Sequence, residues 1–134
     1  VMDSSALLYP MVFHVGWTAL LYVALTVLRA PTIWGLDTRS GRLARRAAWE
    51  PRVSANLSNQ FEWPLLFYVC CVLLLQTGKV DPGLVLLAWI FVAGRVVHSF
   101  VQILTGNIRL RGLVFTINFL AVLLMWGWLL GATL

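Results

Sequence analysis

Two stretches of this chain set groups capable of chemistry into apolar surroundings. Within GRVVHSFVQ, Arg95, His98 and Gln102 recur at i, i+3 and i+7, which puts them on one face of a helix. Upstream, Arg52, Asn56, Asn59 and Trp63 follow a second helical stripe, with Glu62 three residues after Asn59 on the same side. Guanidinium, imidazole and carboxamide groups are rich in donors, and Glu62 is the single carboxylate among them. If Glu62 is neutralised by Arg95, then Arg52, Arg109 and Arg111 remain unmatched and the cluster favours an anion. The competing role for such groups is to tie helices together.

The elements that carry these residues are membrane helices. Of 134 residues, 60% are hydrophobic and 11% charged, and the mean hydropathy is +0.86. Four apolar runs, at 6–28, 53–77, 83–105 and 112–133, each reach the roughly 20 residues needed to cross a bilayer. The expected fold is therefore an all-α integral membrane four-helix bundle forming one domain over 1–134. The first run has no basic residue before it and is followed by arginines, so it reads as a retained span.

Basic residues orient the bundle. Arg29, Arg39, Arg42, Arg45, Arg46 and Arg52 follow span one, Arg109 and Arg111 precede span four, and the opposite connection TGKVDPG holds only Lys79. By the positive-inside rule both termini are expected on the non-cytoplasmic side. Topology thus accounts for the net charge of +5, and no nucleic-acid partner is expected. The segment APTIWGLDTRSGRLARRAAWE reads as a long basic loop, able to lie on anionic membrane lipid with Trp34 and Trp49 at the interface.

Depth tests whether the two stripes meet. At 1.5 Å per residue from the cytoplasmic ends, Asn59 and His98 lie about 9 and 10 Å deep and Glu62 and Arg95 about 13 and 15 Å deep. The expectation is a Glu62 to Arg95 ion pair, with Asn59 and His98 one turn nearer the cytoplasm. Pro51 and Pro82 suit the first turns of spans two and three. Pro64 falls inside span two, crowds the carbonyl of Gln60, and predicts a kink. Adjacent Cys70 and Cys71 read as apolar packing, and His14 as an interhelical hydrogen-bonder.

The motifs SNQFEWP in span two and RVVHSFVQILTGNIRLRGLVF across spans three and four resemble the MAPEG proteins, the membrane-associated proteins of eicosanoid and glutathione metabolism. The resemblance covers nearly the whole chain and implies a homotrimer that holds glutathione between subunits in the cytoplasm-facing half. It further implies cofactor-binding roles for Arg52, Asn59, Glu62, Arg95 and His98. Arg111 resembles the arginine that stabilises the glutathione thiolate, a catalytic role for which Arg109 is the rival. Ala55 and Gln102 depart from the family pattern, standing where an arginine and a tyrosine are common.

The function this implies is a glutathione-dependent transferase or peroxidase acting on lipophilic small molecules, in a bacterial inner membrane. Its alternative is a non-catalytic protein of the same fold that binds an anionic lipid or docks on a larger complex.

Overall fold

The computed structural model describes residues 3–35 and 41–134, with the backbone alone for 41–45. Arg39 and the side chains of Arg42 and Arg45 lie outside what it describes. A single 3₁₀ turn, Ser4–Leu7, leads into α1 (Leu8–Ile33); α2 (Gly41–Asn59), α3 (Trp63–Thr77), α4 (Pro82–Leu104) and α5 (Ile108–Thr133) follow. No strand occurs among the described residues. Four helical stretches are long and apolar enough to cross a membrane: Ser4–Ile33, Arg46–Thr77, Pro82–Leu104 and Ile108–Thr133. The expected all-α four-span bundle is therefore what forms.

Local chemistry sets the element ends. Asp81 accepts from the Leu84 amide at 3.0 Å, and Pro82 follows in the first turn, where a missing N–H costs nothing. Asn107 caps α5 in the same way through Leu110 N–H at 3.0 Å. Gly78 ends α3 in the left-handed region at φ 65°, a conformation that glycine adopts without Cβ strain. At that end of the bundle Lys79 Nζ donates to the Ala132 carbonyl, tying the α3–α4 connection to the last turn of α5.

Two expectations are corrected here. Most of the supposed long loop is helix, because α1 runs to Ile33 and α2 starts at Gly41, so Pro51 sits inside α2 instead of opening it. Span two is broken outright where a kink was expected: α2 stops at Asn59, Gln60–Glu62 turn, and α3 restarts at Trp63 with Pro64 in its first turn. The cause is Pro64, whose ring excludes the carbonyl four residues earlier and which has no N–H to continue the ladder.

The core lies in two apolar clusters. The larger joins Phe67, Cys70, Cys71, Leu74, Leu84, Phe91, Val92 and Met125 at the Lys79 end. The smaller, Leu21, Leu25, Val53 and Leu57, lies between α1 and α2 near the arginine-bearing end. Both cysteines are free and buried, as their apolar neighbours predict. At the arginine-bearing end, Arg29 and Glu50 form the one ion pair among the described residues, at 2.7 Å.

Candidate functional site

A helix break inside a bilayer frees backbone groups that water cannot reach, so protein must satisfy them. The amides of Gln60 and Phe61 turn back to the carbonyls of Leu57 and Ser58, both at 3.0 Å. The freed carbonyl of Asn59 accepts from the Arg95 guanidinium at 3.1 Å, and Arg95 Nε donates to Gln60 Oε1, also at 3.1 Å. Arg95 is 1% exposed, and its Nε and Nη2 are both turned to the broken end of α2.

This corrects the expected Glu62 to Arg95 ion pair. Glu62 lies in the break, its side chain is exposed, and it forms no ion pair among the described residues. The depth estimate carried α2 straight through Pro64 at a helical rise, and the turn at Gln60–Glu62 removes Glu62 from the inward face. Arg95 consequently meets residues 59 and 60 instead of 62.

From Gln60 a polar layer spreads between the two apolar clusters. Gln60 Oε1 also accepts from His14 Nε2 at 3.0 Å, and His14 Nδ1 accepts from the Tyr68 hydroxyl at 2.6 Å. Gln60 Nε2 donates to Asn56 Oδ1 at 3.2 Å and to Ser99 Oγ at 3.3 Å. Trp17 Nε1 donates to Ser99 Oγ at 3.1 Å, and Ser99 in turn donates to the Arg95 carbonyl at 3.0 Å. The expected interhelical role of His14 is thus seen, with partners from α3 and the helix break.

Beside this layer a groove opens at the arginine-bearing end, between α2, the end of α4 and the start of α5. It consists of two cavities of about 350 and 420 Å³ that share Ala55, Gln102, Ile108 and Arg111. The first also takes in Arg52; the second adds Asn59, His98 and Phe115. Arg52 Nη1 donates to the Ile103 carbonyl at 3.1 Å near the end of α4. Gln102 Oε1 accepts from Asn56 at 2.9 Å and Asn59 at 3.1 Å. Of the residues expected to form a site, Arg52, Asn59, His98 and Arg111 therefore come together at the groove. Arg95 lies behind it, while Glu62 and Arg109 are exposed and line neither cavity.

Three side chains have buried polar atoms without a partner among the described residues: His98 Nδ1, Trp63 Nε1 and both ends of the Asn118 amide. Trp63 stacks on Phe119 and His98 lies against Phe115, so both pack on α5, the helix that carries Asn118. Asn118 fits only because residue 94 is glycine, since a Cβ there would overlap Asn118 Oδ1. Gly94→Ala is expected to destabilise the bundle by about 1–3 kcal/mol, the usual cost of overpacking, and Asn118→Ala in the same chain should recover much of it. Thermal unfolding of the four proteins in detergent measures the cycle; additive effects would show that the two residues do not touch.

Sequence reasoning missed Gln60, Ser99 and Asn118. Gln60 had a legible signal, since it lies four residues after Asn56 and next to the carbonyls that Pro64 frees. Asn118 had none, because its contact with Gly94 depends on how α4 and α5 pack.

Four apolar helical spans around a buried polar layer, with a donor-lined groove at one end, define an integral membrane protein of the all-α class. A family model for the MAPEG family matches residues 7–131, nearly the whole length, and the chain belongs to that family. No curated protein and no solved structure matches it.

Proposed function

We propose that this MAPEG protein binds glutathione in the groove and uses it against lipophilic electrophiles, as a transferase or peroxidase. The observation that carries this reading is the groove's mixed lining. Arg52, Arg111, His98 and Gln102 supply polar contacts, while Ile108 and Phe115 are apolar and exposed on the outer surface of the bundle. An anionic peptide thiol suits the first set, and an apolar electrophile arriving through the membrane suits the second.

In this reading Arg111 holds the thiol as its thiolate, since a nearby guanidinium favours the deprotonated sulfur. The sulfur lone pair then forms the S–C bond as the electrophile's leaving group departs with its electron pair, and the thiol proton passes to solvent. Arg52 and Asn59 contribute to holding the peptide, and Glu62, Arg95 and Arg109 act outside direct contact unless a neighbouring copy closes the groove. A homotrimer, as the family resemblance implies, would supply such a copy. The accompanying proposals are one domain over 1–134, a bacterial inner membrane, and both termini on the non-cytoplasmic side.

A second reading is favoured by the burial of Arg95, whose Nε and Nη2 are turned to the helix break and away from a ligand. It is a non-catalytic protein that holds the head group of an anionic lipid in the same groove or docks on a larger complex. Equilibrium dialysis of detergent-solubilised protein against labelled glutathione separates them. Saturable binding at millimolar concentration, with conjugation of a dinitrohalobenzene, is the expected result. Its absence, with anionic lipid co-purifying, would favour the second reading.

A further inference from the structure

Carboxamides can face either way, so the polarity that a buried Asn or Gln presents depends on its fixed neighbours. Here the neighbours leave one solution. Arg95 Nε can only donate, so the end of Gln60 that meets it at 3.1 Å must be Oε1. Ser99 is consistent with this orientation. Its single proton goes to the Arg95 carbonyl, so its oxygen accepts from Trp17, and the Gln60 atom that meets it must be the Nε2 donor. A reversed Gln60 would set donor against donor at Arg95.

The orientation then propagates toward the groove. Gln60 Nε2 donates to Asn56 Oδ1, which turns Asn56 Nδ2 toward Gln102. Asn56 and Asn59 both donate to Gln102 Oε1, so the oxygen of that side chain is held between α2 and α4. Gln102 lines both cavities, and its Nε2 has no acceptor among the described residues. Asn56 and Gln60 are at most 2% exposed, which removes them from reach of a ligand.

We propose that Gln102 is a ligand-binding residue that offers only N–H donors to the groove, and that Gln60 is the positioning residue that sets this polarity from within the bundle. This rests on the groove being the ligand site. With Arg52 and Arg111 on the same walls, the groove selects an oxyanion: the carboxylate of a small thiol peptide or the phosphate of a lipid head group. A ligand group that can only donate is refused at Gln102.

Gln102→Glu tests the polarity with little change in shape. A glutamate still accepts from Asn56 and Asn59, so the unfolding temperature in detergent should stay close to that of the parent, but it turns an oxygen toward the ligand. Affinity for glutathione, or for dioctanoyl phosphatidylglycerol if that is the probe retained, should fall about 10- to 100-fold. Gln60→Glu keeps the acceptor for Arg95 and His14 and loses both donors. It should lower the preference for glutathione over its diethyl ester, or for phosphatidylglycerol over dioctanoylglycerol, by about 3- to 10-fold, whereas a merely weakened fold would lower both affinities alike.

Unchanged affinity in Gln102→Glu would overturn the binding role, and an unchanged preference in Gln60→Glu would overturn the positioning role. A parent that binds phosphatidylglycerol but no glutathione would sink the transferase reading and leave the polarity proposal to be decided on the lipid. Binding of neither probe by the parent would overturn both.

Discussion

Arg95→Leu is expected to cost the bundle about 2–5 kcal/mol, because it takes donors from the buried Gln60 Oε1 and the half-buried Asn59 carbonyl at a helix break. The Asn59 carbonyl loses its partner, and Gln60 Oε1 keeps only His14. Gln60 is then free to reverse, which releases Asn56 and Ser99 as well. Arg95→Lys should recover only part of the loss, since one ammonium lacks the fork that reaches a backbone carbonyl and a side-chain oxygen together. Unfolding temperature and monodispersity in detergent report the effect. A stable Arg95→Leu protein that had lost glutathione binding would instead make Arg95 a ligand residue and remove the helix-break role assigned to it.

Arg111→Ala is expected to behave in the opposite way. Its side chain is exposed, lines both cavities, and makes no hydrogen bond or ion pair among the described residues, so the bundle loses nothing by its removal. Glutathione affinity should fall about 10- to 100-fold, the loss of a charge-assisted contact, while the unfolding temperature stays put. Conjugation measured at saturating glutathione should fall further, because the thiolate loses its counter-charge. Arg109→Ala is the control: Arg109 lines neither cavity, and a larger effect there than at Arg111 would reverse the assignment.

The contrast between these arginines shows what could be read in advance. Arg95 lies inside one apolar run and Arg111 just before another, and depth alone does not say which is tied into the bundle and which is left for a ligand. Face and spacing were legible: the Arg95, His98 and Gln102 stripe does turn toward the residues around Asn59. Pro64 was legible as a disturbance, but its size was not, since whether a proline bends or severs a membrane helix depends on who takes the freed carbonyls. Arg95 takes one of them, the Asn59 carbonyl, and the turn that frees it leaves Glu62 away from its expected partner.

Hydropathy, the lengths of the apolar runs and the family motifs determined from sequence alone that four helices cross a membrane with polar stripes facing inward. Those properties are local, and a bilayer enforces them because every backbone group in it must be paired within the protein, which a continuous helix does by itself. Tertiary structure decided which polar groups are consumed and which remain available. Arg95, Gln60 and Ser99 bond to one another around the helix break, whereas Arg111 and the Nε2 of Gln102 are left at the groove. That division depends on distances of about 3 Å between separate helices, which hydrogen bonding requires and sequence spacing does not specify.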